Sequence, residues 1–420
     1  MKLAIVTAFP PSKVTLNEYG YYLVKHFCAR EEVTELILIT DKTVKPKTLD
    51  FDQAGKISIQ SCWNFNGMST VPNVLKAINA TKPDAVLYNL QFLKFGDRKI
   101  AAGLGLMLPL LTRLKGVPTI SLLHNILEQV DLANAGMTNN KLLQRVYNLT
   151  GTVLTRAVLA SDKVAVTINK YVTILEKKYK MNNVELIPHG SFETPPEPDY
   201  SLPQGPKQIM AFGKFGTYKK VELLIEAVEE LRKKGMQDLS IVIAGTDSPN
   251  TPGYLENVSK KYSEVEDLHF TGYVAEEDVP RLFNDSAVVV FPYTSTTGSS
   301  GVLHQAGSYG KAVALPNLGD LKNLVEEEGY IGEFFDPYSS SSLADAIGSI
   351  LENEEYRIAI GKQNFRAAAS LPMDVITGMY IEQFKKIQRK KGKTVSNKED
   401  IAIDWDLVHQ PVVSHFDKRD

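Results

Sequence analysis

Residues 294–301, TSTTGSSG, are all glycine or hydroxyl-bearing residues. They follow an apolar, β-branched run at 287–291 that predicts a buried strand, and they precede a helical pattern from Val302 to a stop at Gly310. Free backbone N–H groups and the helix dipole at such a junction attract anions. An ordinary turn between a strand and a helix has the same composition, so this segment alone does not decide between the two.

A second segment of this kind is residues 213–220, GKFGTYKK, which follows a strand predicted at 208–212. It contributes Lys214 and Lys219 and leads into a helix predicted at 221–234. Backbone donors at two helix N-termini, with two ammonium groups beside them, match the charge of a diphosphate. Taken singly, either lysine would more often be a solvated surface residue. Together, the two segments predict a diphosphate site.

An alternation of strands and helices must position these segments. Strands are predicted at 3–7, 36–40, 85–88, 119–123, 163–166, 184–187, 208–212, 239–244, 269–273, 287–291 and 312–315. Further helices are predicted at 17–29, 100–114, 141–159, 254–262, 276–284, 343–352, 355–368 and 373–388. Such alternation predicts an α/β fold with parallel sheets. Because ligands bind beyond the carboxyl ends of parallel strands, the loop after Thr7, residues 89–91 and His124 are further candidates.

A chain of 420 residues is too long for one hydrophobic core, which predicts two domains. Five prolines within residues 193–206 mark a linker between them. Both domains are expected to be doubly wound, Rossmann-like parallel sheets that face each other across a cleft. The predicted parts are a first domain over 1–195, a linker over 196–206, a second domain over 207–372, a helix over 373–388 that returns to the first domain, and a flexible tail over 389–420.

The composition excludes several classes of protein. Lys and Arg number 47 against 49 Asp and Glu, which gives no reason to expect a nucleic-acid partner. Two cysteines, Cys28 and Cys62, suit a reducing compartment, and no apolar stretch is long enough for a membrane span, so we expect a cytoplasmic protein. The amphipathic segment at 141–159 is expected to cover a sheet. With the basic run at 385–393, it could instead make weak peripheral contact with the inner membrane face.

Both segments and their surroundings resemble the GT-B glycosyltransferases, in particular the retaining group known as family 4, over about residues 1–388. The family has Gly-Arg-Leu…Lys-Gly where this chain has GKF…KK within 213–220. Residues 270–274, FTGYV, resemble a family segment whose backbone borders the nucleotide base, and Gly245 resembles a glycine turn after the preceding strand. His124 stands where the family has a functional histidine near the transferred sugar, and residues 188–190, PHG, resemble its Pro-Asn-Gly.

The resemblance implies a set of functional residues. Catalytic roles are implied for His124, Lys214 and Lys219, with His124 expected to donate a hydrogen bond to the sugar. A buried structural histidine is the alternative for His124 and, more strongly, for His304. Substrate-binding roles are implied for Gly213, Gly245, Tyr273, Val274, Thr297, Gly298, Ser299, Ser300, Gly301, Val302, Gln305 and His189.

Two departures from the family pattern bear on activity. The family's donor loop has two glutamates, and alignment on Gly298, Gly301 and Ala306 puts Thr297 and Gln305 at their positions. In the family the second glutamate usually bonds the ribose hydroxyls, a role that Gln305 could keep through its amide. The paired-glycine turn expected after the first strand is also replaced, here by residues 10–18, PPSKVTLNE.

The resemblance implies a retaining transferase that moves a hexosyl group from a nucleoside diphosphate sugar to an acceptor hydroxyl. No DxD motif stands at a strand end, so neither a metal nor another cofactor is expected. The missing glutamates keep open an inactive GT-B binding or scaffold subunit. Another GT-B enzyme, such as a sugar-nucleotide epimerase or a phosphorylase, is a third alternative. The sugar, the base, the acceptor and the oligomeric state are not predicted.

Overall fold

The computed structural model describes residues 1–42, 49, 51–52, 54–127, 141–193, 195–248, 250–295, 298–392, 403 and 405–409. The chain divides into two compact units. Unit 1 comprises Met1–His189 and Met373–Ala402, and unit 2 comprises Gly190–Pro372 and Ile403–Asp420. None of the described helices is long and apolar enough to cross a membrane.

Unit 1 contains a seven-stranded parallel sheet with the order β3-β2-β1-β4-β5-β6-β7. Its strands are β1 (Lys2–Val6), β2 (Glu35–Asp41), β3 (Ile57–Trp63), β4 (Ala85–Leu90), β5 (Thr119–Leu123), β6 (Lys163–Val166) and β7 (Val184–Leu186). The helices are α1 (Asn17–Ala29), α2 (Thr70–Thr81), α3 (Lys99–Leu106), α4 (Leu108–Leu114), α5 (Lys141–Leu159) and α6 (Asn169–Tyr179). Strand order reverses between β1 and β4, as in a doubly wound fold.

Unit 2 contains a six-stranded parallel sheet with the order β10-β9-β8-β11-β12-β13. Its strands are β8 (Lys207–Phe215), β9 (Leu239–Asp247), β10 (Leu268–Gly272), β11 (Ser286–Val290), β12 (Ala312–Pro316) and β13 (Glu333–Phe335). The helices are α7 (Glu222–Lys233), α8 (Tyr254–Lys261), α9 (Val279–Asp285), α10 (Gly301–Ser308), α11 (Gly319–Glu327), α12 (Ser340–Glu352) and α13 (Glu354–Ser370). Helix α14 (Met373–Lys390) returns to unit 1, and the short α15 (Trp405–His409) belongs to unit 2.

Apolar faces on sheet and helices meet in the core of unit 2. Ile209 of β8, Ile241 of β9 and Val288 of β11 are fully buried and belong to one cluster with Val228 of α7 and Ile347 of α12. Members of this cluster recur at helical spacing on α7 and α12, and on the strands they lie within continuous apolar runs. Both patterns are typical of a parallel sheet covered by helices.

The predicted bounds of four elements need correction. The single helix predicted at 100–114 is two helices that meet at Met107, because Pro109 in the first turn of α4 cannot donate a hydrogen bond to the preceding turn. The helix predicted at 276–284 begins as a 3₁₀ turn, Glu276–Asp278, before α9. Strands β8 and β9 extend to Phe215 and Asp247, so Gly213, Lys214 and Gly245 lie in strands and not in loops.

The predicted tail at 389–420 falls mostly outside the described residues. Within it, Lys390 still belongs to α14, and Trp405–His409 forms α15. Val408 of α15 is fully buried, and its carbonyl oxygen would lie 2.5 Å from a β-carbon at Gly329. This part of the tail is therefore packed on unit 2.

Candidate functional site

The order of the strands in unit 2 reverses between β8 and β11. From β8 the sheet continues through β9 to β10, and from β11 it continues through β12 to β13. The segments that leave the carboxyl ends of β8 and β11 are Gly216–Val221 and Phe291–Ser300, respectively. A crevice at such a switch point is where open parallel sheets bind ligands.

Lys219 joins the segments that follow β8 and β11. It forms an isolated antiparallel bridge with Tyr293, and its Nζ lies 4.5 Å from the centroid of the Tyr293 ring. A β-carbon on Gly213 would lie 3.0 Å from Lys219 Nζ and 4.0 Å from Val302 Cγ2. The ammonium group is therefore next to the end of β8 at Gly213, and Gly213 also lies near the first turn of α10. Burial lowers the pKa of Lys219, and Tyr218 opposes this effect.

The N-terminus of α10 is built from the hydroxyl-rich segment. Ser300 is the N-cap, and its Oγ accepts a hydrogen bond from the Leu303 backbone N–H at 3.4 Å. Burial raises the pKa of Tyr293, and a hydrogen bond with Ser300 opposes this rise. Gly298 has a φ of 86°, a conformation that favours glycine. The first amides of α10 and Lys219 thus both lie beyond the carboxyl ends of the parallel strands. Thr297 lies outside the described residues.

Two glycines allow β8 and β9 to approach closely beside this site. A β-carbon on Gly245 would lie 1.8 Å from the Gly213 carbonyl oxygen, a distance that no side chain can occupy. Gly213 and Gly245 also have φ values of 129° and 140°. The Gly245 N–H donates to Thr271 Oγ1 at 3.2 Å. Both glycines are therefore required by the backbone itself.

Other predicted residues of the set lie apart from Lys219. Lys214 is exposed on β8, and Tyr273 is 82% exposed beyond β10, followed by the partly buried Val274. Gln305 is partly buried on α10, and its side chain has no hydrogen bond within the described part of the chain. The sequence predicts both Lys214 and Lys219 as ligands of the diphosphate. Of these two lysines, only Lys219 contacts the segments at the switch point.

His124 lies at the corresponding reversal of strand order in unit 1, where β1 pairs with β4 and β4 with β5. Its Nε2 is 2.7 Å from Asn89 Oδ1, the Asn89 amide donates to Thr7 Oγ1 at 2.9 Å, and Thr7 Oγ1 donates to the Ala8 carbonyl at 3.0 Å. Thr7 and His124 follow β1 and β5, and Asn89 is the last residue but one of β4. The contacts therefore join three of the strand ends that the sequence indicated.

The hydrogen-bond chain fixes which nitrogen of His124 carries the proton. Asn89 Oδ1 can only accept, so His124 Nε2 donates to it. Burial, reinforced by His189 and Lys94, lowers the pKa of His124 well below its ordinary value, so the ring is neutral near pH 7. A neutral ring protonated on Nε2 offers a lone pair at Nδ1. In this tautomer Nδ1 accepts, so the donation to the sugar expected from the sequence would need the other tautomer.

Two side chains beside His124 were not predicted from the sequence. Tyr19 of α1 packs edge-on against His124 at 4.6 Å between ring centroids and lies 4.5 Å from the ring of His189. Lys94 is fully buried and donates to the Thr15 carbonyl at 2.7 Å, which holds the segment that replaces the paired-glycine turn. Burial lowers the pKa of Lys94 to about 7, and Asp41 opposes this shift. Neither residue belongs to a local sequence pattern.

No group of three or more His, Cys, Asp and Glu residues is arranged to hold a metal ion in the part of the chain that the structure describes. Among the described residues, Lys219 contacts the candidate region of unit 2 and Lys94 contacts that of unit 1.

Comparisons with known sequences match part of the chain. Residues 197–366 match the family model described as Glycosyl transferases group 1. Alpha-D-kanosaminyltransferase from Streptomyces kanamyceticus is 27% identical over 184 residues, which are 41% of this chain and 45% of that relative. The matched region is therefore less than half of the curated relative's length.

Solved structures match almost the whole chain. Sucrose-phosphate synthase from Thermosynechococcus elongatus has a TM-score of 0.71 at 17% identity, over 92% of this chain and 99% of that one. HepE from Anabaena in complex with UDP has a TM-score of 0.67 at 14% identity, over 92% of this chain and 100% of that one. The GT-B fold predicted from the sequence is confirmed, and the predicted glycosyltransferase family is confirmed for residues 197–366. This chain therefore has the GT-B fold, and its residues 197–366 belong to the group 1 glycosyl transferases.

Proposed function

We propose that this protein is a retaining glycosyltransferase that moves a hexosyl group from a nucleoside diphosphate sugar to an acceptor hydroxyl. The observation that carries the proposal is the position of Lys219. Its ammonium lies beside Gly213 and the Tyr293 ring, at the reversal of strand order in unit 2, and Gly213 also lies near Val302 in the first turn of α10. A fixed cation and unpaired helix amides form a site for a diphosphate.

The proposed chemistry follows from charge. As the anomeric C–O bond breaks, negative charge grows on the departing diphosphate. Lys219 and the amides of α10 would stabilise that charge without moving, which is how preorganised donors lower a barrier. Retention would then follow from attack by the acceptor on the face that the diphosphate leaves, with a phosphate oxygen taking the acceptor proton.

His124 has a separate role in this proposal. With Nε2 committed to Asn89, its Nδ1 would accept a hydrogen bond from a substrate hydroxyl. An acceptor of this kind orients a hydroxyl and carries no charge to the reaction, since the ring is neutral. We assign His124 to substrate orientation and not to proton transfer.

A second candidate is a GT-B protein that binds a nucleotide sugar without transferring the sugar. Gln305 favours it, because a neutral amide stands where the family has a glutamate. Slow hydrolysis of a nucleotide sugar by the purified protein, with no acceptor present, distinguishes the two. A transferase shows such hydrolysis, whereas a binding protein shows only the thermal shift that a bound ligand causes.

The test of the proposal begins with a thermal-shift panel of nucleoside diphosphate sugars. UDP-glucose is a sensible first member because HepE has been solved in complex with it. A ligand at about 100 times its dissociation constant stabilises a protein by about 2.7 kcal/mol, which such an assay detects. If no nucleotide sugar stabilises the protein or is hydrolysed by it, the proposed function is wrong.

Matched lysine variants then locate the diphosphate. Lys219→Met should lower turnover of the identified donor by about a hundredfold or more, since it removes one preorganised charge. Lys220→Met should have little effect, because the Lys220 Nζ lies 5.0 Å from the Tyr254 ring centroid and away from Tyr293. Methionine keeps the length of the apolar stem in both. Equal losses in the two variants would contradict the assignment of Lys219.

A further inference from the structure

A buried histidine connects the diphosphate segment to the far side of α10. His304 lies in the second turn of this helix and is 2% exposed. Its Nε2 is 3.2 Å from Ser299 Oγ, and its Nδ1 is 2.9 Å from the Tyr330 hydroxyl and 3.4 Å from Glu328 Oε2. Both ring nitrogens are therefore engaged. The chain of contacts ends at Ser299, the residue before the N-cap Ser300. Ser299 is the member of this chain that would contact the proposed ligand.

Glu328 is the unusual member of the set. It is 2% exposed, and neither of its carboxylate oxygens has a hydrogen-bond partner among the described residues. A buried carboxylate without partners is costly, so Glu328 either holds a proton or shares the proton of His304. Burial, reinforced by the charge of Glu327, raises the pKa of Glu328 well above its ordinary value.

The groups around this pair supply no other cation to Glu328 within the described part of the chain. Glu327 lies at the end of α11, and His409 of α15 contacts its carbonyl oxygen at 3.0 Å. From α13, Gln363 Nε2 donates to the Gly329 carbonyl and Asn364 Oδ1 accepts from the Ile331 N–H, both at 2.8 Å. Tyr330 is the remaining titratable neighbour, and it also bonds Ser191.

We propose that Glu328 and His304 are positioning residues that make the Ser299 hydroxyl a hydrogen-bond donor to the diphosphate of the donor substrate. This inference rests on the proposed function. Glu328 and His304 can together hold two protons, as a protonated carboxyl beside a neutral imidazole or as a carboxylate beside an imidazolium. In this state His304 Nε2–H donates to Ser299 Oγ. The Ser299 hydroxyl hydrogen is then free for a phosphate oxygen.

Loss of that proton reverses the direction of the chain. The negative charge of Glu328, whose Oε2 is 3.4 Å from His304 Nδ1, then favours a proton on Nδ1, which can donate to the Tyr330 hydroxyl at 2.9 Å. Nε2 carries a lone pair that accepts the Ser299 hydroxyl hydrogen. Ser299 now offers only lone pairs to the ligand, which a phosphate oxygen cannot use. Diphosphate binding is therefore linked to one proton on the buried pair, and it weakens as the pH rises through the pKa of that pair.

The test measures the affinity of the tightest binder among UDP, ADP and GDP by calorimetry at several pH values. The range is about pH 7.5 to about pH 9.5, above the second phosphate pKa of about 6, so the nucleotide does not titrate. Native protein should lose affinity as the pH rises, with a contribution approaching one proton from the buried pair in addition to any from Lys219, whose pKa burial lowers. In Glu328→Gln no carboxylate charge favours a proton on His304 Nδ1, so the Nε2–H form should persist and only the part of the slope that belongs to Lys219 should remain.

The sign of the effect separates this proposal from structural damage. Glu328→Gln should bind the nucleotide about tenfold more tightly than native protein at the highest pH, the equivalent of about 1.4 kcal/mol. A disrupted pocket would weaken binding at every pH. Glu326→Gln, on the exposed face of α11, should keep the native slope. Equal slopes in native protein and Glu328→Gln would overturn the proposal.

A second measurement needs no nucleotide. In ligand-free protein, ¹⁵N chemical shifts of the His304 imidazole should show Nε2 protonated at low pH and unprotonated at high pH. In Glu328→Gln the Nε2 proton should remain throughout. A native His304 whose Nε2 does not change state overturns the linkage, whatever binds to unit 2. If the change occurs but no nucleoside diphosphate binds, the proposed function fails and the assignment of Ser299 to a diphosphate fails with it.

Discussion

The ammonium of Lys219 contacts an aromatic ring and a glycine, and no carboxylate pairs with it in the described part of the chain. A cation without a paired carboxylate keeps its full attraction for a ligand anion. Burial already lowers the pKa of Lys219, and a diphosphate beside it would raise that pKa again. Donor binding should therefore stabilise the charged form of this lysine.

Gln305 gives a residue-scale prediction about the ribose. The partly buried amide lies on α10, one residue after His304, with no hydrogen bond among the described residues. If Gln305 reads the ribose, Gln305→Ala should raise the donor dissociation constant about tenfold, the equivalent of about 1.4 kcal/mol. Gln305→Glu should bind as well as native protein or more tightly, because charge-assisted bonds are stronger. Calorimetry with the identified donor measures both.

A 2′-deoxyribose donor serves as the control for Gln305. It should lose about the same affinity as Gln305→Ala, and the two losses should not add, because each removes the same interaction. Full additivity would show that Gln305 is not the ribose ligand.

Local sequence could predict some of these contacts and not others. Lys219, Gly213 and Val302 were predicted because each lies next to a strand end or a helix start. The partners Tyr293 and Glu328 were missed, since contacts between residues 74 and 24 positions apart follow from tertiary packing. Lys214 and Lys219 look alike in sequence, but β8 continues to Phe215, so Lys214 points from a strand surface to solvent. Strand length, which sequence defines poorly, separated the two lysines.

At the scale of elements, the close pairing of the parallel strands β8 and β9 at Gly213 and Gly245 sets the shape of the sheet beside the switch point. Gly245→Ala should lower the free energy of unfolding by about 3 kcal/mol or more, because its β-carbon would overlap the Gly213 carbonyl. Gly235→Ala is the matched control, since Gly235 has a φ of 105° and open space around its α-carbon. It should cost about 1 kcal/mol, from backbone strain alone.

Chemical denaturation of both glycine variants measures this difference. Similar losses would mean that positive φ, and not the contact between strands, is what position 245 requires.

The long, strongly periodic elements were predicted well. Helices α1 and α5 and strands β5 and β6 have the predicted bounds. Elements with mixed patterns were missed, namely β3, α2, α6, α11 and β13. Strand β3 lies at an edge of its sheet and alternates polar with apolar residues, ISIQSCW, and α2 contains Pro72 and Asn73 in its first turns. Packing on the neighbouring elements outweighs weak local preference in such segments.

Helices α3 and α5 give a prediction about membranes. They lie side by side, since a β-carbon on Gly103 would be 3.5 Å from Leu154, and they expose Ile100 and Leu149, each by 67%. The basic run predicted at 385–393 contributes less than expected, because Lys385 is buried against Glu382. We keep weak peripheral contact as a proposal, now based on this apolar surface.

Sedimentation with vesicles containing phosphatidylglycerol at low salt tests this contact. Native protein should pellet in part, and the double variant Ile100→Ser with Leu149→Ser should pellet several-fold less. Met181→Ser, in the turn before β7, is the control and should pellet like native protein. Absence of pelleting by native protein would favour an acceptor that is free of membranes.

At the scale of the whole molecule, the order of the chain differs from the order of the units. Unit 1 begins at Met1 but is completed by Met373–Ala402, whereas the sheet of unit 2 lies entirely within Gly190–Pro372. Helix α14 is an integral part of unit 1. Its Tyr380 ring lies 6.2 Å from that of Phe27 on α1, and Arg30 Nη1 is 3.0 Å from Asp374 Oδ1.

This topology has a consequence for synthesis on the ribosome. Domains usually fold as units, the N-terminal one first, while the chain is still growing. Helix α14, which packs against α1, is synthesised only after every strand of unit 2. All strands of the unit 2 sheet are therefore present in the nascent chain before Phe27 can contact Tyr380. A chain stalled near residue 370 contains every strand of the second sheet but lacks α14 of the first unit.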